Sequence, residues 1–179
     1  MPRIIFPNGK ELRDLPDIQS RLAHLGITLR HWPAPTDARA QELVQKKSLN
    51  DPEKEELLGL VQSRFDELRR EKGYTTRDMV VIHEDVPGLA DMLAKFDKIH
   101  YHTDDEVRYI LAGHGYFGFV GPDGMQFLLE VAAGDYINVP AKAEHWFEMR
   151  DSQRIKAVRY FIDTSGWTPV YTQRAMAFA

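Results

Sequence analysis

The residues that could do chemistry begin at His100-Tyr101-His102-Thr103-Asp104-Asp105-Glu106. Residues two apart on a strand project to the same side, so His100 and His102 share a face. Glu106 has the same parity, or the Thr-Asp-Asp stretch loops it round to the same place. Two imidazoles and a carboxylate on one face make a facial set of metal ligands with open positions. His145, on a later predicted strand, can supply a fourth ligand. The chain has no cysteine, which excludes disulfides, thiolate zinc sites, iron–sulfur clusters and thiol nucleophiles. Any metal must therefore be held by histidines and carboxylates. An isolated His-x-His on a strand is more often a surface pair than a site, and the glycines and prolines framing both segments tip the reading toward a site. His24, His31 and His114 lack a partner pattern and read as structural or surface residues, and His83, closing an apolar run, reads as a core histidine.

The elements that must position these residues fall into two halves. The first half reads as helical. Ile18, Leu22 and Leu25 form one stripe between Asp14 and Gly26, and a weaker helix is expected near Ala38 to Lys46. Asp51-Pro52-Glu53 predicts a helix start with Asp51 as cap, running along Leu57, Leu58, Val61, Phe65 and Leu68 to Lys72-Gly73. Met79 to Ile82 reads as a strand and Pro87 to Ala94 as a short helix. From about Lys98 the pattern turns β-rich, with turns expected at Gly113-His114-Gly115 and Gly121-Pro122-Asp123-Gly124. Further strands are expected near Phe127 to Val131, Tyr136 to Val139, His145 to Met149 and Ile155 to Ile162. Short strands at this spacing, preceded by helices and not alternating with them, predict a mainly β sandwich or barrel with helices packed outside.

Composition narrows the class of function. The 179 residues suit one domain: 1–97 as a largely helical lead-in and 98–179 as a β-rich metal-binding core. A net charge of −4 lacks the footprint of a phosphate-binding surface, so no nucleic-acid partner is expected. Arg69, Arg70 and Lys72 are offset by Glu67 and Glu71, which makes a solvated helix face. No apolar run is long enough for a bilayer span, so no membrane partner is expected, and the reading is a cytoplasmic monomer. No nucleophile elbow, phosphate-cradling glycine loop or dinucleotide fingerprint occurs.

The frame around the ligands resembles the two motifs of the cupin superfamily. His100, His102 and Glu106 are followed, after six residues, by Gly113, and Gly134, Pro140 and His145 stand at the second motif's intervals. Lys142 and Met149 replace that motif's second Gly and its Asn. Along most of Ile4 to Tyr171 the chain resembles the bacterial acireductone dioxygenase family. The matching pieces are His31-Trp32, Glu106-Val107-Arg108-Tyr109, His145-Trp146-Phe147 and the stretch Asp163 to Pro169.

The resemblance implies a cupin fold, a jelly-roll-like β-barrel with helices, mostly N-terminal, outside it. It also implies one Fe2+ or Ni2+ per chain on His100, His102, Glu106 and His145. The implied substrates are an acireductone of methionine salvage, 1,2-dihydroxy-3-keto-5-methylthiopentene, and O2. Four protein ligands on a six-coordinate ion leave two cis positions, the number a bidentate enediolate needs. Neutral imidazoles and one carboxylate leave a divalent site at a net positive charge, which favours an anionic substrate. Arg108, on the face of Glu106, is the candidate catalytic residue, able to neutralise a substrate oxygen; its alternative is a surface pair with Asp104 or Asp105. Phe96, Phe147 and Trp167 are expected to wall the pocket, a role compatible with barrel core. The competing expectations are another metal-dependent cupin enzyme, a different dioxygenase or an isomerase, and a non-enzymatic metal- or ligand-binding cupin.

Overall fold

The structure, a computed structural model, describes residues 1–163 and 165–178. The elements are β1 (Arg3–Ile5), β2 (Glu11–Leu12), α1 (Leu15–Ala23), β3 (Thr28–His31), α2 (Ala38–Gln45), α3 (Asp51–Leu60), α4 (Gln62–Lys72), β4 (Thr76–Ile82), α5 (Leu89–Leu93), β5 (His100–Tyr101), β6 (Glu106–Val120), β7 (Gln126–Ala132), β8 (Asp135–Val139), β9 (His145–Glu148), β10 (Ile155–Phe161), a 3-10 turn at Ser165–Trp167, and β11 (Val170–Tyr171). Thr164, inside the stretch that carries part of the family resemblance, lies outside the described residues. Among the described residues no helix is long and apolar enough to cross a membrane.

The helices start where their caps allow. Asp14 and Asp37 each accept a backbone N–H from the first turn of α1 and α2. The third start lies one residue earlier than Asp51. The Asn50 side chain accepts from Glu53 N, and the Glu53 carboxylate accepts from Asn50 N, a reciprocal box that a cap at Asp51 would forgo. The helix expected to run unbroken to Lys72 is two, interrupted at Val61 (φ −112°) just after Gly59. Both parts still bury one face, through Leu57, Leu58, Phe65 and Leu68. Gly73, at φ +74°, closes α4.

The strands form two sheets that share β6. One runs β11-β5-β9-β6-β7-β1-β2 and the other β4-β10-β6-β8-β3, with every pairing antiparallel. The main core lies between them, with Phe117, Phe119 and Leu129 from the first sheet against Ile110, Ile137 and Ile155 from the second. Helices α2 to α4 cover the outer face of the second sheet, where Trp32 packs between Tyr109 and Tyr136. The result is a jelly-roll with open edges and helices outside. The N-terminal half also contributes β1 to β4, of which only β4 has a sequence pattern long enough to read.

Gly113-His114-Gly115 is not a turn. β6 runs through it for 15 residues, pairing with β8 and β10 before the glycines and with β7 and β9 after them. An extra residue in β6 opposite Lys156/Ala157 shifts the register there. Inward residues are accordingly even-numbered before the shift (Glu106, Arg108, Ile110) and odd-numbered after it (Phe117, Phe119). Gly113 has φ +74°, and a Cβ there would lie 2.0 Å from the Arg154 carbonyl oxygen. A Cβ on Gly115 would lie 2.5 Å from the Phe147 ring.

Gly113→Ala is therefore expected to lower stability by about 3 kcal/mol, through backbone strain and overpacking together. Gly59→Ala, exposed in α3 with nothing near its absent Cβ, is expected to raise stability by about 0.5–1 kcal/mol. Urea unfolding midpoints of the two variants check both signs.

Candidate metal centre

The centre sits where the two sheets face each other near the start of β6. β5 is only two residues long, yet its pairing puts His100 directly opposite His145 on β9. The alternation then returns His102 to the same side just beyond β5, with its ring centroid 5.0 Å from that of His100. Thr103 to Asp105 form a loop, and Glu106 opens β6 from the second sheet. One ligand atom from each of His100, His102, Glu106 and His145 lies within 4.8 Å of the others.

Each side chain is set up to offer an electron pair. The Nδ1 of His100 lies 2.6 Å from Lys98 O and that of His145 lies 2.8 Å from Ala143 O. A ring that donates Nδ1–H to a backbone carbonyl has its Nε2 lone pair free and aimed. His145 Nε2 lies 2.9 Å from Glu106 Oε2. His102 Nε2 lies 3.0 Å from the same oxygen but out of line for a hydrogen bond, so both of its buried ring nitrogens lack a hydrogen-bond partner among the described residues. Orphaned buried nitrogens are costly, and a cation at their focus removes that cost.

Electrostatics hold the charges a divalent ion needs. Burial, reinforced by His145, pushes the His100 imidazole down to about 4, so it is neutral near pH 7. Burial would push the Glu106 carboxyl up, but Arg108, His145 and His102 outweigh it and keep it well below the usual carboxylate range. Lys142 stands at φ +67°, so the turn before His145 keeps the left-handed geometry of the glycine it replaces. Its N–H donates to His102 O at 2.8 Å and steadies the histidine whose ring Nδ1 has no backbone carbonyl to bond.

The other sequence-predicted residues gather on the same side. A cavity of about 360 Å³ is lined by His100, Glu106, His145, Arg108, Phe96, Phe147 and Trp167 together with aliphatic residues such as Val80, Met92 and Leu93. Arg108 pairs with neither Asp104 nor Asp105. Its Nη2 lies 3.1 Å from Glu106 Oε1, its Nη1 donates to Val107 O, and Asp105 instead accepts the Ala141 N–H. Phe147 N donates to Phe96 O at 2.7 Å, so the two aromatic walls are fixed to each other through the backbone. His83 is not a core residue: it lies in the turn after β4, partly exposed, and its Nδ1 accepts from Asp85 N. Arg159, which also lines the cavity, is held by Asp78 and lies under the Trp167 ring. The alternation Ile155, Ala157, Arg159 on β10 was the available signal for it. A larger open groove of about 660 Å³ between α1 and the β6–β7 turn contains none of the four ligands.

A jelly-roll whose two sheets bring three histidines and a glutamate together beside an inner cavity defines a metal-centred cupin. The ARD/ARD' family model matches residues 16–169. The chain is 48% identical to an acireductone dioxygenase of Microcystis aeruginosa, over 96% of this chain and 93% of that protein. It is 47% identical to one of Leptospira interrogans, over 97% of each. In structure it is similar to the acireductone dioxygenase of Bacillus anthracis, which has a cadmium ion in its active centre, with a TM-score of 0.88 and 32% identity over 96% of this chain and 98% of that one. The chain belongs to the ARD/ARD' family.

His102→Ala removes the ligand whose ring has no other use. Elemental analysis is expected to fall from about one divalent metal per chain to near none, with the fold kept by circular dichroism. Full metal content in that variant would remove His102 from the centre.

Proposed function

We propose that this chain is a metal-dependent dioxygenase that cleaves the acireductone 1,2-dihydroxy-3-keto-5-methylthiopentene with O2 in methionine salvage. The observation that carries the reading is the convergence of four ligand side chains, three of which (His100, Glu106 and His145) line an apolar cavity, with an arginine beside them. The ion is Fe2+ or Ni2+, one per chain, since imidazole and carboxylate donors suit both. When bound, it supplies Lewis acidity toward the enediol oxygens and a redox partner for dioxygen.

The chain's own residues do the rest. Three neutral imidazoles and one carboxylate leave a divalent ion with net positive charge, which draws an enediolate. Arg108 is kept charged beside Glu106 despite its burial and offers N–H donors to a substrate oxygen at the cavity floor. Phe96, Phe147 and Trp167 take the methylthio tail and exclude water, which strengthens every charge interaction inside. With no cysteine and a modest negative charge, the protein is read as a cytoplasmic monomer with no nucleic-acid or membrane partner.

Protein stripped of metal and reloaded with one ion at a time tests this. With acireductone and O2, the iron form is expected to give formate and 4-methylthio-2-oxobutanoate. The nickel form is expected to give carbon monoxide, formate and 3-methylthiopropionate. Headspace gas analysis and organic-acid chromatography read the outcome. No oxygen uptake by either form at full occupancy would reject the acireductone reading in favour of another cupin enzyme.

Arg108→Ala is expected to keep its metal and lose about 10²–10³-fold in kcat/KM, the cost of one preorganised donor at a developing negative charge. Metal lost together with activity would make Arg108 a support for Glu106 instead.

A further inference from the structure

The centre has two openings of opposite charge. The large cavity carries Lys95, Arg108 and Arg159 against one lining acid, Glu106, with Asp78 of β4 pairing Arg159 from behind. Adjoining that cavity, with which it shares Glu106, Arg108 and Trp167, is a small throat of about 10 Å³ lined by His102, Asp104, Asp105, Glu106, Arg108, Phe161, Asp163 and Trp167. Among the described residues, four of those eight side chains are acidic and only Arg108 carries a fixed positive charge. Asp104, Asp105 and Asp163 are exposed, so they stand at the mouth. At the base is His102, 4% exposed, with both ring nitrogens lacking hydrogen-bond partners among the described residues.

Size and sign sort what can use each opening. A space of ~10 Å³ admits about one water-sized species, which suits a cation shedding its hydration shell and excludes an acireductone. Carboxylates in a low-dielectric cleft concentrate divalent cations and raise their rate of entry, and a cationic mouth does the same for an anionic substrate. We propose that Asp104, Asp105 and Asp163 form a cation-uptake mouth through which divalent metal reaches His102 first, separate from the cavity that admits substrate. The proposal rests on the four-ligand metal centre, not on the identity of the substrate.

The test follows metal entry directly. Full-length protein is stripped with a chelator and mixed rapidly with Co2+, whose visible absorption reports ligation. Asp104→Asn and Asp104→Asn/Asp163→Asn keep the size and acceptor oxygen of each side chain and remove charge. They are expected to slow Co2+ association by about 3-fold and 10-fold, flatten its dependence on ionic strength, and leave final occupancy at the wild-type level. Lys95→Gln, at the other mouth, is expected to leave the rate unchanged. Association rates equal to wild type in both Asp variants would overturn the proposal. So would a Lys95→Gln variant that loads faster, because metal would then be entering by the large cavity. A wild type that takes up no Co2+ would overturn the centre itself, and the mouth with it, whereas uptake without acireductone turnover touches only the substrate assignment.

Discussion

The register shift and bend in β6 are the constraint on which the site depends. Before the shift, even-numbered residues face the core, which delivers Glu106 and Arg108 inward from one sheet. After it, odd-numbered residues do, which brings Phe117 and Phe119 into the same core and pairs β6 with β9, the strand of His145. A straight strand with period-two alternation would turn one of these sets out to solvent. The shift therefore lets one strand belong to two sheets that face each other, and the ligands meet in the space between them.

The stretch just past this shift, Gly113-His114-Gly115, is also the one that sequence reading misassigns. A Gly-His-Gly between β-branched runs carries the same local signal whether it makes a turn or lies inside a continuous strand. What decides is remote: the Arg154 carbonyl and the Phe147 ring occupy the volumes where side chains at 113 and 115 would go. The convergence of the four candidate ligands was legible because their arrangement is local. His100 and His102 share a face by parity, Glu106 is one short loop away, and His145 sits in a motif whose turn survives at Lys142. Strands β1, β2 and β3 were not legible, since two to four residues are too few to show a period. The helix cap at Asn50 was missed for a different reason. Asn and Asp are both good caps, and the choice falls to whichever residue Glu53 can bond in return.

The buried charges are tolerable only as a set. Glu106 lies among three imidazoles and one guanidinium, with little water to solvate it. Removing any single partner from such a group leaves an uncompensated charge in a poorly solvated place, which costs more than the pair is worth in isolation. Arg108 has a double dependence of the same kind. It offsets Glu106, and it is itself disfavoured by burial and by Arg159. A charge network of this kind gives little net stability, but it holds a carboxylate ionised and a cation in place beside an apolar cavity.

The three histidines are not held alike, and the difference has a physical consequence. His100 and His145 are a registered pair across β5 and β9, and each ring is tied through Nδ1 to a carbonyl two residues before it. Their Nε2 atoms are fixed by backbone that is itself in a sheet. His102 lies past the end of β5, its ring held by no backbone carbonyl and touching Glu106 through Nε2, while its own carbonyl is anchored by the Lys142 N–H. Rotation about its side-chain bonds is restrained by packing and by whatever sits at the focus of the four ligands. An ion held there would meet two nitrogens fixed by sheet backbone, at His100 and His145, and a third, at His102, whose ring Nδ1 has no hydrogen-bond partner among the described residues.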